Sequence, residues 1–145
     1  MSFRGKKIFL LNLGGLIFFI LDRVLKNLYF FDQDLSFLKF QKNSKFLYFF
    51  QGIFFYWLTF LIFLGLIFYL IKKYQQNQLG LIFSLTLILV GGFSNFLDRL
   101  LHGFVIDYFN FFSLWSFNIA DIIILGGSII FFLNIRENKN NVHVS

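Results

Sequence analysis

Residues 79–99 read LGLIFSLTLILVGGFSNFLDR. From Leu79 to about Phe96 the run is apolar over the length of a bilayer-crossing helix, for which about 17 residues are the minimum. Its end inserts Asn95 and Asp98, three apart and therefore on one helix face. An Asp at a membrane helix centre costs about 2.5 to 3.5 kcal/mol on insertion scales, so such a residue needs a partner or a purpose. Gly91 and Gly92, just before it, let a neighbouring helix come close. The segment predicts a transmembrane helix with a polar cluster at one end.

Three further apolar stretches are long enough to span, at residues 8–21, 53–71 and 119–135. The first is short unless its helix continues through Asp22 to Lys26, and it follows Arg4, Lys6 and Lys7 in the manner of a signal peptide. No small-x-small cleavage site follows, since the run ends Leu21-Asp22-Arg23-Val24, so a retained helix is expected. The 145 residues are 58% apolar with 26 Phe, 14% charged, and have a mean hydropathy of +0.74. A soluble surface needs more charge than that. The expected fold is an all-α membrane protein of four transmembrane helices, with a small extracytoplasmic β-hairpin or sheet and an interfacial loop. Residues 1–136 form one membrane domain, and 137–145 (ENKNNVHVS) a polar, disordered cytoplasmic tail.

The net charge of +6 is scattered in twos and threes between apolar spans, with no basic stripe for nucleic acid. Membrane lipids are the expected partner. Arg4, Lys6, Lys7, Lys72, Lys73, Arg136 and Lys139 fall on one side, and Arg23, Lys26, Lys39, Lys42, Lys45 and Arg99 on the other. That small excess favours cytoplasmic termini. Asp22, Asp32, Asp34, Asp98, Asp107 and Asp121 all fall on the second side, and Glu137 alone on the first. On that acidic side, residues 27–51 read as a surface hairpin with a polar turn at Gln41-Lys-Asn-Ser. Residues 100–116, rich in Phe and containing Trp115, suit an interfacial loop.

There is no Cys, and His102 and His143 are far apart. Disulfides, thiol catalysis, a metal site, an organic cofactor and a Ser-His-Asp triad are therefore not expected. Chemistry must rest on Asp, Asn, Lys and Arg. Asn95 and Asp98 end the third span. Asn118 and Asp121, again three apart, begin the fourth. Asp107 stands between them in Val-Ile-Asp-Tyr, and Asp22 and Lys26, four apart, are able to pair. Each has a plain structural reading: Asn118 as a helix N-cap with Asp121 favoured by the helix dipole, Asp98-Arg99 as an interfacial anchor, Asp22-Lys26 as an ion pair. Those readings leave unexplained the presence of Asp107 at the same depth as both Asn-x-x-Asp pairs. Two carboxylates close together in a low-dielectric site share one proton. One can then polarise a water while the other protonates a leaving amine.

GGFSNFLDR, VIDY and FNIAD, in that order, together with Asp22-x-x-x-Lys26, resemble the signature of the lipoprotein signal peptidases, small aspartic proteases of bacterial membranes. The resemblance implies that Asp107 and Asp121 are the catalytic pair. It implies that Asn95, Asp98, Arg99, Asn118, Asp22, Lys26 and Gly52 support the site or position substrate. The implied substrate is a prolipoprotein carrying a diacylglyceryl-modified Cys, cut just before that Cys by a monomeric enzyme in the cell membrane, with its site near the extracytoplasmic face. The chain departs from the family in three places. Phe50-Gln-Gly52-Ile-Phe-Phe55 lacks the usual Asn before the Gly, Tyr108 stands where Phe is usual, and the stretch from Asp107 to Asp121 is short. Other intramembrane aspartic proteases use a Gly-x-Gly-Asp sequence, absent here. A small transporter would carry an acid within a span, whereas these acids gather at one interface.

Overall fold

Hydrocarbon offers no partner for a peptide N–H or C=O, so a long apolar run satisfies its backbone internally as a helix. The structure, a computed structural model, describes residues 3–28, 41–43, 53–111 and 115–143. Its helices are α1 (Phe3–Leu28), α2 (Ile53–Gln75), α3 (Leu79–His102) and α4 (Ile119–His143). Its strands are β1 (Gln41–Asn43), β2 (Val105–Asp107), β3 (Phe109–Phe111) and β4 (Trp115–Phe117). Among the described residues, three helices are long and apolar enough to cross a membrane: Tyr56–Gln75, Leu79–His102 and Ile119–Arg136. Helix α1 runs well past Leu21, so the apolar run at 8–21 does continue through Asp22 and Lys26.

The side chains are arranged inside out relative to a soluble protein. Phe68 is 73% exposed and Leu125 64%, whereas Asp22 and Asp98 are 0% exposed and Lys26 1%. Charged groups are almost never fully buried unless paired, so the polar groups must hold one another. Helix α3 is the centre of the fold, packing on α1, α2 and most extensively α4. The α3–α4 seam is close enough to need glycine. A Cβ on Gly91 would lie 2.6 Å from the Ala120 carbonyl oxygen, and one on Gly127 would lie 2.9 Å from that of Ser84. This is the close approach that the Gly91-Gly92 pair predicts.

The helix ends are built locally. Helix α2 closes with Asn77 at a left-handed φ of 65°. The Gln78 N–H donates to Lys73 O at 3.2 Å and the Asn77 N–H to Tyr74 O at 3.2 Å. That is the Schellman pattern, with Asn in the place glycine usually takes. Helix α3 stops at Gly103, φ 75°, whose N–H donates to Arg99 O at 3.0 Å. The chain then turns directly into β2.

The β structure differs from expectation. Gln41-Lys-Asn, read as a hairpin turn, is strand β1, and its partner is β2, antiparallel, with Gln41 opposite Asp107 and Asn43 opposite Val105. The polar composition of the segment is turn-like, but the pairing partner lies far along the chain and leaves no local signal. The flanks of the expected hairpin, with Asp32 and Asp34, lie outside the described residues. A local strand pair occurs instead in the segment expected to be an interfacial loop, where β3 pairs with β4 through Phe109 opposite Phe117 and Phe111 opposite Trp115. The tail expected to be disordered from Glu137 is helical in its backbone through His143. No Gly or Pro interrupts that stretch, and Glu137 and Lys139 have good helix propensity.

Adjacent glycines test the seam. Gly127→Ala is expected to destabilise the protein by about 1–3 kcal/mol through overpacking, read as a lower melting temperature in detergent. Gly126, with nothing within 4 Å of its would-be Cβ, should accept Ala with no loss or a gain of up to about 1 kcal/mol. Equal melting temperatures for the two variants would contradict the α3–α4 packing.

Candidate functional site

Lys26 projects from the last turn of α1 into a polar cluster between helices. Its Nζ lies 2.8 Å from Asp22 Oδ2, 2.9 Å from Asp98 Oδ2 and 2.8 Å from Asn95 Oδ1. An ammonium has three donors and no acceptor, and each here has an oxygen. The i, i+4 spacing brings Asp22 to Lys26 along α1, and the i, i+3 spacing brings Asn95 and Asp98 to it along α3. Arg23 Nη2 completes the cluster by pairing with Asp98 Oδ1 and donating to Ser94 O at 3.4 Å. Ser94 Oγ donates to Asp22 Oδ2 at 2.5 Å, and the Ile106 N–H donates to Asp98 Oδ2 at 3.3 Å. Two cations and two carboxylates thus balance inside the protein. Asp98 is therefore no surface anchor, as the local reading of Asp98-Arg99 allowed.

The cluster is continuous with the start of α4. Asn95 accepts from Lys26 through Oδ1 and donates through Nδ2 to Asp121 Oδ1 at 2.7 Å. Asn118 caps α4 reciprocally with Asp121. The Asp121 N–H donates to Asn118 Oδ1 at 3.0 Å, and the Asn118 N–H donates to Asp121 Oδ2 at 3.2 Å. This is a capping box with acidic rather than amide chemistry at its third position. The same Asn118 reaches outward, its Nδ2 donating to Asp107 Oδ1 at 2.9 Å and to Asn95 Oδ1 at 3.2 Å. Asp107, 1% exposed at the end of β2, also accepts from Ser116 Oγ at 3.1 Å. The carboxylates of Asp107 and Asp121 therefore both accept from Asn118, one from its side-chain amide and the other from its backbone N–H, close enough for their charges to interact. The capping role and the convergence of the acids turn out not to be alternatives, because one residue serves both.

Arg99 faces this pair from α3, interacting electrostatically with Asp121, Asp98 and Asp107. Its Nη1 donates to Asn95 O at 3.2 Å, and its own carbonyl accepts from Tyr56 Oη of α2 at 3.2 Å. Asn95, Arg99 and Asp121 form the polar end of a cavity of about 520 Å³ among α2, α3 and α4, whose remaining wall includes Ile62, Phe63, Phe96 and Ile124. A second groove of about 520 Å³, lined by Leu16, Phe19, Phe60 and Phe93, lies among α1, α2 and α3 and shares Phe63 and Phe96 with the first. Among the described residues no three His, Asp or Glu side chains are placed to hold a metal.

Of the residues singled out in the sequence, Asp22, Lys26, Asn95, Asp98, Arg99, Asp107, Asn118 and Asp121 come together, and Gly52 lies outside the described residues. Sequence reasoning missed Arg23, Ser94, Ser116 and the hydroxyl of Tyr108. Ser94 was accessible in principle, since it stands four before Asp98 on the same helix face. Arg23 follows Asp22 directly and counted only as a charge setting orientation.

The network makes a stability prediction. Lys26→Met leaves two buried carboxylates without their shared cation. Breaking a buried ion pair by removing one partner costs about 3–5 kcal/mol, so a large drop in the unfolding midpoint in detergent is expected. A midpoint within about 1 kcal/mol of the parent protein would show the ammonium is not buried as described.

The chain is similar to known proteins over much of its length. The family model described as signal peptidase (SPase) II matches residues 15–136. Over 95 residues the chain is 38% identical to a lipoprotein signal peptidase of Streptococcus thermophilus, a match covering 64% of this chain and 61% of that one. Over 91 residues it is 39% identical to a lipoprotein signal peptidase of Lactococcus lactis subsp. lactis, covering 61% of this chain and 59% of the relative. These matches thus span less than two thirds of the relatives' length. A solved bacterial membrane enzyme shares the fold with a TM-score of 0.72 at 26% identity, covering 92% of this chain and 94% of that chain.

Proposed function

The chain belongs to the signal peptidase II family, and from that premise we propose that it is an aspartic endopeptidase that removes signal peptides from diacylglyceryl-modified prolipoproteins, with Asp107 and Asp121 as its catalytic pair. The observation that carries the reading is the convergence of these two carboxylates on Asn118, at the polar end of an apolar cavity. One carboxylate takes a proton from water as the water oxygen attacks the carbonyl carbon before the lipidated Cys. The other gives its proton to the departing amide nitrogen, and the C–N bond breaks. The products are the signal peptide with a new carboxylate and the lipoprotein with a free amine on its Cys. Water does the attacking, so no covalent intermediate forms.

Asn95 and Asn118 hold the acids in place, and Lys26 fixes Asn95. Arg99, at the polar end of the cavity, is suited to orient the substrate backbone. The second groove, almost wholly apolar, and the apolar wall of the first suit the acyl chains and the signal helix. Helix α1 supplies a fourth span in this reading. Its 26 residues measure about 39 Å at 1.5 Å per residue, enough for a bilayer core of about 30 Å, and its Leu16, Ile17, Phe18, Ile20 and Leu21 are exposed. Four spans put both termini on one side and the carboxylates near the opposite face, and the small excess of Lys and Arg beside the termini favours the cytoplasmic side for them.

The test is cleavage of a lipid-modified prolipoprotein in detergent or bilayer. Asp107→Asn and Asp121→Asn should each lower the rate by at least about 10³-fold while the protein stays folded, since each removes a group needed in the proton transfers. Full activity in either variant would remove that residue from the pair. Absence of processing by the unaltered protein would instead favour a membrane protein of another class.

A further inference from the structure

Tyr108 has no part in the reaction just described, yet it is placed between the two halves of the site. Its side chain is 0% exposed, and it follows Asp107 directly. Its Oη donates to Asp22 Oδ1 at 2.7 Å and accepts the Ile119 N–H at 2.9 Å. Ile119 is the first residue of α4, two before Asp121. One hydroxyl therefore links the neighbour of one aspartate to the first turn that carries the other. Its far anchor is firm, because Asp22 is itself held by Lys26 at 2.8 Å, Ser94 Oγ at 2.5 Å and the Ala120 N–H at 3.3 Å. The Tyr108 N–H donates to Phe117 O at 3.3 Å, and its ring meets Phe109 edge-on at 4.9 Å. Burial first, then the charge of Asp22, holds the phenol proton well above its ordinary range, so the hydroxyl stays a donor to Asp22.

We propose that the Tyr108 hydroxyl is a strut that sets the separation of Asp107 and Asp121, a positioning residue acting through them. The inference rests on the reading of those two residues as the catalytic pair. Loss of the hydroxyl leaves the Ile119 N–H without this acceptor where little water is available to replace it. The start of α4 then settles differently against β2, and a shift well under 1 Å is enough to spoil proton-transfer geometry. The other charges facing the pair are Arg99 and Asp98 from α3 and Lys26 from α1, with Tyr56 of α2 bonded to the Arg99 carbonyl. Asp22 of α1 also reaches the Ala120 N–H; it loses the Tyr108 donor in Tyr108→Phe and keeps it in Ile119→Pro, so a pH change common to both variants reports the separation of the acids.

The experiment compares the parent protein with Tyr108→Phe on a lipid-modified precursor in detergent. The expected result is a kcat about tenfold lower with KM within about twofold. The acidic and basic limbs of the pH–rate profile should change their spacing, because a changed separation alters how strongly the acids interact. Ile119→Pro cuts the strut at its other end. It deletes the N–H at the first helical position, where proline is tolerated, and leaves Tyr108 and Asp22 in place. It should lower kcat by a similar factor, and the double variant should be no worse than either single one. An NMR titration of labelled aspartate carboxyls, which needs no substrate, should show the spacing of the pair's two ionisations changed in the same direction in both variants. Unchanged kcat and unchanged pH limbs in Tyr108→Phe, or additive losses in the double variant, would overturn the strut. A parent protein that cleaves nothing, but whose carboxyl titration still responds to Tyr108→Phe, would count against the peptidase reading and leave the strut standing.

Discussion

The ammonium of Lys26 is the group on which the rest of the structure depends. Removing a charge of that size from water costs several kcal/mol even after relaxation, and attraction to a partner recovers this only when the geometry is good and every donor is used. Here Asp22, Asp98 and Asn95 supply an oxygen for each N–H at 2.8–2.9 Å. That requirement fixes the register of α1 against α3. Sliding one helix along the other by a turn, about 5.4 Å, would take the ammonium from Asn95 and Asp98 and leave Asp98 buried without a cation. An apolar seam would hold the two helices together as well, and buried ion pairs are weak arguments for stability as such. What the cluster provides is one alignment, and that alignment places Asn95 where it meets Asp121.

The start of α4 shows why the site lies where it does. A helix leaves its first N–H groups without backbone partners, and these are costly wherever water is scarce. Here the Ile119 N–H goes to Tyr108 Oη, that of Ala120 to Asp22 Oδ1 and that of Asp121 to Asn118 Oδ1. The partners come from the β2–β3 junction, from α1 and from the cap itself. Satisfying the helix end thus draws three separate segments to one point. The positive end of the helix dipole favours the carboxylates gathered there. Capping and the grouping of the acids are one set of contacts, and neither is separable from the fold.

Much of this is legible from spacing alone. The apolar lengths predict the helices. Asp22 and Lys26 four apart, and Asn95 and Asp98 three apart, predict the faces that meet, and Asn118-x-x-Asp121 predicts the cap. What is hidden is set by contacts distant in the chain. Gln41-Lys-Asn has the composition of a turn, and only its pairing with Val105–Asp107 makes it a strand. Arg23 lies beside Asp22 in sequence and reaches it at 3.8 Å, yet its closer partner is Asp98 on another helix. The hydroxyl of Tyr108, beside a ring that packs among other rings, reads as an aromatic core residue until Asp22 and Ile119 are seen against it.

The unequal burial of the two acids bears on how the proposed chemistry divides. Asp107 is 1% exposed, enclosed by Asn118, Ser116 and the β strands, whereas Asp121 is half-buried and lines the cavity. A substrate entering along the apolar wall of Ile62, Phe63 and Ile124 meets Asp121 and Arg99 first. Asp107 then acts from behind, through whatever space Asn118 leaves. The amide of Asn118 donates to Asp107 and accepts from the backbone at Asp121. In the proposed reaction that asymmetry assigns the enclosed acid to the water and the cavity-facing acid to the leaving nitrogen. The assignment follows from which oxygen the substrate can reach.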